Sequence, residues 1–462
     1  MIFDTPLPQR DRSRSEIADW HRRDETDVVE ALLDAAHLDR KSLDRIDARA
    51  RTLVGEVRKQ RIGKGGIDAF MQEYELSSQE GVVLMCLAEA LLRIPDQATA
   101  DRLIRDKLGP ADWEKHVGNS DSVFVNASTW ALMLTGRVVS LHEYQDQSVK
   151  SVLGRLVTRL GDPVIRQSVT QGMRILGRQF VMGRDIEEAL ERASADEERG
   201  YRHSFDLLGE AAHTASDAKR YFDAYSNAIA TIGKNAAGRG PIASSEISVK
   251  LSALHPRYAF GQRERVMAEL VPRLMALASL AREFDIGLTV DAEEADRLEL
   301  SFDVISAVFR DSALEGWEGF GLALQAYQKR AYPAVEWLAE LARAKGRRLM
   351  LRLVKGAYWD SEIKVAQEDG LAGYPVFTRK ASTDVSYIAC ARRVLSHGDA
   401  FFAQFATHNA HTLAAVLEIA GGRKDFEFQR LHGMGEALYE QIAGKDKTGL
   451  PVRVYAPVGS HE

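Results

Sequence analysis

The chain has 462 residues, 45% apolar and 28% charged, with a formal net charge of −6. That balance is ordinary for a soluble globular protein and implies no general affinity for nucleic acid. The length suggests about three domain-equivalents, and two cysteines, Cys86 and Cys390, exclude a cysteine-built zinc site and fit core packing in a reducing cytoplasm.

Residues 1–66 read as an N-terminal arm, extended around Pro6 and Pro8 and then helical over 41–60. No signal peptide is visible at the start, which is polar at Asp4. Residues 67–200 read as a helical domain, with apolar positions at helical spacing and no chemical motif. The longest apolar run, 82–92, is broken by Glu89 and is too short to span a bilayer, so it reads as a buried helix.

From residue 201 the rhythm changes. Short apolar runs at 201–208, 246–251, 286–291, 320–325, 349–354, 401–406, 426–431 and 452–456 alternate with amphipathic stretches. The expected helices cover 216–232, 263–284, 300–309, 332–345, 384–396, 412–421 and 437–442. Eight strands separated by helices over 201–462 match a closed (β/α)8 TIM-type barrel in size and count. An open doubly wound sheet would carry a glycine-rich loop after its first strand. Leu207-Leu208-Gly209-Glu210 stands there instead. After the eighth strand a barrel calls for an eighth helix, and the chain stops at Glu462 without one.

Side chains alternate across a strand. If Ile247, Val249 and Leu251 face the helices, then Ser248, Lys250 and Ser252 face the interior. The same rule sends Thr289 and Asp291, Ala323 and Gln325, Met350, Arg352 and Val354, and Arg453 and Tyr455 inward. Lys250, Asp291, Gln325, Arg352 and Tyr455 therefore converge at the C-terminal ends of five strands, where such barrels build their active sites. Lys250 with Asp291 also suits a purely structural ion pair.

The stretch 352–359 (RLVKGAYW) adds two cations, a glycine and two aromatics at one strand end, which suits a planar anionic cofactor. A cation inside an apolar run needs an anionic or hydrogen-bonding partner, while Trp359 also suits simple packing. Phe377-Thr378-Arg379-Lys380 precedes a helix expected from Asp384, where free N–H groups favour phosphate. The plainer account is an N-cap by Ser382 or Thr383 on a solvated basic loop. Thr407-His408-Asn409-Ala410-His411 follows the sixth strand. Two histidines without a nearby carboxylate or cysteine set argue against a metal and for hydrogen bonding to a cofactor. His432 is a further mouth residue or a core histidine.

Six segments, 250–258 (KLSALHPRY), 291–298 (DAEEADRL), 325–330 (QAYQKR), 352–359 (RLVKGAYW), 404–411 (QFATHNAH) and 455–459 (YAPVG), resemble the proline dehydrogenase domain of the bacterial bifunctional proline utilisation proteins. The resemblance runs from about residue 201 to the end and extends to the helical region before it. It implies FAD-dependent oxidation of L-proline to Δ1-pyrroline-5-carboxylate, by hydride transfer from C5 to flavin N5, with electrons passed to a membrane quinone. By this resemblance Lys250 meets the proline carboxylate, and Asp291, Leu353, Tyr358 and Tyr455 line the proline pocket. Arg352 hydrogen-bonds the flavin near N5. Asp291, Gln325, Val354, Lys355, Gly356, Ala357, Tyr358 and Trp359 surround the flavin. Phe377, Thr378, Arg379, Lys380, Thr407, His408 and Asn409 hold the rest of FAD.

Members of the family carry an eighth helix with an Arg–Arg pair for the substrate carboxylate. Its lack in this chain implies weak proline binding and looser FAD retention. In the full-length protein the resemblance adds a pyrroline-5-carboxylate (glutamate semialdehyde) dehydrogenase domain, in a cytoplasmic setting peripheral to the inner membrane. Residues 1–40 lack a ribbon-helix-helix pattern, so no DNA binding is expected. The competing readings are a Schiff-base barrel aldolase using Lys250 or Lys355, and an inactive scaffold.

Overall fold

The computed structural model describes residues 9–61, 181–209, 211–444 and 447–459. The expected helical run over 67–180 lies outside them, as does Cys86. Two compact units emerge from the chain, one of residues 1–55 and 185–458 and the other of residues 56–184 and 459–462. The barrel belongs to the first.

Its centre is a closed barrel of eight parallel strands in sequential order. They are β1 (Tyr201–Leu207), β2 (Glu246–Val249), β3 (Leu288–Val290), β4 (Phe320–Gln325), β5 (Leu349–Val354), β6 (Phe401–Ala406), β7 (Phe426–Leu431) and β8 (Val452–Val458). Closure comes from β1 pairing with β8, with Ser204 opposite Tyr455 and Asp206 opposite Pro457. The strands stand where the apolar runs predict, with β1, β2 and β3 shorter than expected and β8 running on to Val458. Strand β2 stops at Val249 because a short helix, Leu251–Leu254, begins at once. Strand β3 is three residues, yet the Asp291 N–H still reaches the Val249 carbonyl at 2.9 Å, which keeps Asp291 on the ladder.

Helices alternate with the strands and pack their apolar stripes on the outside. Helix Ala215–Ala236 starts with a capping box between Thr214 and Asp217, which satisfies end donors reciprocally. Helix Lys380–Ser396 begins four residues before the expected Asp384. Its N-cap is Arg379, which makes no side-chain cap, so Ser382 and Thr383 sit buried in the first turn and cap nothing. Helix Trp359–Glu368 was not foreseen.

Pro6 and Pro8, where extension was expected, lie outside the described residues, but the arm is already helical well before residue 41. It forms α1 (Arg12–Asp19), α2 (Glu25–Ala36) and α3 (Arg40–Arg61). Helices α1 and α2 and residues 40–55 of α3 lie on the barrel's outer helices. Arg14 of α1 is buried and donates to Glu299 Oε2 at 2.6 Å and Asp303 Oδ1 at 3.1 Å, and lies over the Trp337 ring. Trp20, Val28 and Leu32 form one apolar cluster with Phe377 and Ala389. Ile46 and Ala50 form another with Ala414 and Ala415.

Candidate active site

Four strand ends bring together the charged groups expected at the mouth. Arg352 on β5 is 3% exposed and has four acceptors. Nη1 donates to Asp291 Oδ1 at 2.7 Å and Ser248 Oγ at 3.0 Å. Nη2 donates to Ser204 Oγ at 2.8 Å and Glu246 Oε1 at 3.0 Å. Burial works against this guanidinium's charge, but Asp291 and Glu246 outweigh it and hold its pKa above the ordinary value. Its carbon lies 5.2 Å from the centre of the Tyr455 ring.

Lys250 directly follows β2 and is also buried. Its ammonium donates to Asp206 on β1, lies 3.5 Å from the Tyr455 hydroxyl and 3.8 Å from Asp291 Oδ2. Burial opposes its charge, yet Asp206 and Asp291 raise its pKa. The Tyr455 hydroxyl donates to Asp291 Oδ2 at 2.7 Å, and burial pushes that phenol's pKa up. So the Lys250–Asp291 pair exists, but inside a five-residue network rather than alone.

Asp206 was missed. The signal was present, because it shares strand parity with Ser204, and β1 register sets it opposite Ser248. Burial pushes its carboxyl up to about 6 despite the Lys250 ammonium beside it, with Asp291 adding to the rise. Beneath the mouth lies a second buried charge layer. Arg453, fully buried, donates to Glu427 Oε1 at 2.7 Å and stands 3.7 Å from Glu246 Oε2. Gln404 and Gln429 donate to the same Glu427 oxygen at 2.8 and 2.9 Å. Alternation in β7, Phe426-Glu427-Phe428-Gln429, carried that signal.

Around the rim, the other candidates fall into two groups. Gln325 is buried at the end of β4 and its Oε1 accepts from Gln328 at 2.7 Å. Leu353 is fully buried, and Val354 pairs with Gln325. Gly356 has φ +135°, and a Cβ there would stand 2.5 Å from the Tyr327 ring. Tyr358 occupies the N-cap position of helix Trp359–Glu368. Trp359 is 42% exposed, and its indole N–H donates to the Phe377 carbonyl at 2.8 Å. Lys355 Nζ bonds Asp384 Oδ1 at 2.5 Å and Thr412 Oγ1 at 3.3 Å.

The second group is tied to other partners. The Phe377 ring packs under the arm, and Thr378 gives both its N–H and its hydroxyl to Glu25 of α2 at 2.8 Å. Lys380 bonds Asp384 at 2.7 Å, and Arg379 is exposed. Thr407 Oγ1 accepts from the Asn409 N–H at 3.1 Å, and Asn409 caps helix Ala410–Ala420 through Thr412. His408 Nε2 accepts the Leu431 N–H at 3.0 Å, so that nitrogen is the unprotonated one. Burial and Arg430 lower the His408 pKa, which keeps the ring neutral. Leu431, 41% exposed at the end of β7, went unnoticed in the sequence.

Residues 189–462 match the family described as proline dehydrogenase. The chain belongs to the proline dehydrogenase family. Residues 11–58 further match the proline utilization A proline dehydrogenase N-terminal domain. Residues 66–180 match the family described as the DNA-binding domain of proline dehydrogenase. That match stands against the expectation of no DNA binding, which rested on residues 1–40 and net charge. The chain is 52% identical over 465 residues to the bifunctional protein PutA of Escherichia coli, covering 99% of this chain and 35% of that protein. It is 49% identical to the Rhizobium meliloti counterpart, with 100% and 37% covered. A mutant proline utilization A from Bradyrhizobium japonicum superposes with a TM-score of 0.72 at 51% identity, covering 96% of this chain and 44% of that one. The chain thus spans about a third of the length of these curated relatives.

Proposed function

We propose that this chain oxidises L-proline to Δ1-pyrroline-5-carboxylate with FAD. The observation that carries the reading is the mouth itself, where a buried Lys250 ammonium and a buried Arg352 guanidinium stand over one shared carboxylate, Asp291. When bound, FAD would accept a hydride from proline C5 at N5 and pass the electrons to a membrane quinone.

Two features of the chain suit a flavin. Arg352 Nε is a buried donor with no hydrogen-bond partner, so the strand end keeps an unspent N–H. Gly356 presents bare backbone beside the Tyr327 ring, where no side chain would fit. Gln325, Lys355, Gly356, Ala357 and Trp359 would hold the ring system. Thr378, Arg379, Lys380, Thr407, His408 and Asn409 would hold the pyrophosphate and adenine side, which requires Glu25 to share or release Thr378.

Lys250 supplies the fixed cation that a carboxylate needs in a water-poor pocket. Asp291 holds Arg352 and Tyr455 in place, and Tyr455 offers its ring as a wall for a five-membered ring. A cation near a flavin stabilises the negative charge of the reduced form. No nucleophile is needed. The aldolase alternative asks for a lysine with a depressed pKa. Asp206 and Asp291 push Lys250 the opposite way.

We infer the same coarse division as the patterning: arm 1–66, helical domain 67–200 and barrel 201–462. In a longer protein the product would pass to a fused pyrroline-5-carboxylate dehydrogenase, in the cytoplasm at the membrane face. The test is proline-dependent reduction of an artificial electron acceptor by FAD-loaded protein. Turnover that requires both proline and FAD supports the reading. Borohydride trapping of a carbonyl substrate on Lys250 would replace it with the aldolase.

A further inference from the structure

Asp206 has no role in the account above, yet it is bonded to the residue that meets the substrate carboxylate. It is 4% exposed, and its partner Lys250 is 6% exposed. Asp291 is anchored three ways, by Arg352, by the Tyr455 hydroxyl and by Lys250. Asp206, Asp291 and Glu246 thus already face Lys250 and Arg352, with Arg453 beneath shared between Glu246 and Glu427.

A ligand carboxylate on Lys250 adds a further anion to cations that already hold three carboxylates. Something must give up negative charge. Arg352 cannot compensate further, since Glu246 already holds it from below at 3.0 Å. The other titratable groups facing Asp206 are Tyr455 from β8 and Tyr225 from helix Ala215–Ala236, whose hydroxyl accepts the Lys250 N–H at 3.3 Å. Both phenols are pushed further up by burial and are already neutral. Asp291 depends less on Lys250, because its two closest donors, Arg352 Nη1 and the Tyr455 hydroxyl, come from elsewhere at 2.7 Å each. Asp206 is left.

We propose that Asp206 takes up a proton when a carboxylate ligand reaches Lys250, so that anion binding and proton uptake are a single event. This rests on the proline-pocket reading given above. Asp206 acts through Lys250 and is a positioning residue. An O–H bond forms on its carboxyl, and for a ligand without an amine the proton comes from solvent. Burial has already raised this carboxyl to about 6, and a second anion beside Lys250 raises it further.

The experiment is calorimetric titration of the 462-residue chain with cyclopentanecarboxylate at about pH 7.5, in HEPES and in Tris. These buffers differ in ionisation heat, so a linked proton appears as a buffer-dependent binding heat. The expected result is uptake approaching about one proton per ligand, lost in Asp206→Asn while binding remains. Wild-type heats that are the same in both buffers would overturn the proposal. So would uptake that survives in Asp206→Asn. An absence of wild-type binding would instead bring down the pocket reading, and this inference with it. Should the variant not fold, the wild-type affinity still decides: it falls from pH 7 to 9, by up to about tenfold per unit, and a flat profile contradicts the proposal.

Discussion

Arg352 and Asp291 meet across the barrel mouth at 2.7 Å, although they are 61 positions apart and belong to the ends of strands that are not neighbours. They flank β4 and meet on the inner face of the barrel. The pair joins the substrate side of the mouth, Lys250 and Tyr455, to the charge layer beneath, Glu246 and Arg453.

Removing the guanidinium leaves Asp291 and Glu246 as buried anions short of a partner. Arg352→Met is therefore expected to lose about 3–5 kcal/mol of stability in urea denaturation. Arg352→Lys keeps the charge but cannot reach four acceptors from one ammonium, so it should fall between the two. A loss under 1 kcal/mol for the Met variant would mean that the network contributes little.

Tyr455→Phe deletes one donor to a buried carboxylate and preserves the ring. The hydrogen bond to a charged group is worth about 1.5–3 kcal/mol, and stability should fall within that range. Proline-analogue affinity should drop as well, because Asp291 is freed to turn toward Lys250 and compete for it. Unchanged affinity would show that the hydroxyl does not order the pocket.

Gly356 combines a positive φ with a ring where its Cβ would be. Gly356→Ala must move either the Tyr327 ring or the strand end, at a cost of about 1–3 kcal/mol. FAD titration should show weaker binding than wild type. Gly346→Ala is the control, since its φ is also positive but nothing lies near its Cβ.

His21, between α1 and α2, has its pKa lowered to about 3, chiefly by burial and then by Arg330, Arg22 and Lys329. The unfolded chain binds this proton near pH 6.5 and the folded chain does not. Stability is therefore full above about pH 6.5 and is lost as pH falls toward 3, by roughly 2 kcal/mol between pH 6.5 and 5. His21→Leu should flatten that part of a stability–pH curve. A curve unchanged by the substitution would move the cause elsewhere.

The eight strands were legible because parallel barrel strands are buried on both faces and read as short apolar runs. Lys250, Asp291, Arg352 and Tyr455 were legible from parity alone, since each is a polar residue on the inner face of its strand. Asp206, Glu246 and Glu427 share that parity, but an acidic residue on a strand gains its meaning only from the cation across the barrel, which no local pattern shows. Helices α1 and α2 were also invisible. They are short and charge-rich, and helices of that length depend on packing against a partner surface. The Glu25–Thr378 bond spans 353 positions, beyond any local pattern.

The central claim is that this mouth delivers a hydride from proline to a bound flavin. The most direct test is to load the chain with FAD, remove oxygen and add L-proline while following the visible flavin absorbance. The flavin should bleach with L-proline and not with D-proline, and Lys250→Met should need far more proline for the same bleaching. Protein that binds FAD but leaves it oxidised at saturating L-proline would contradict the account, as would protein that stays colourless with FAD in excess.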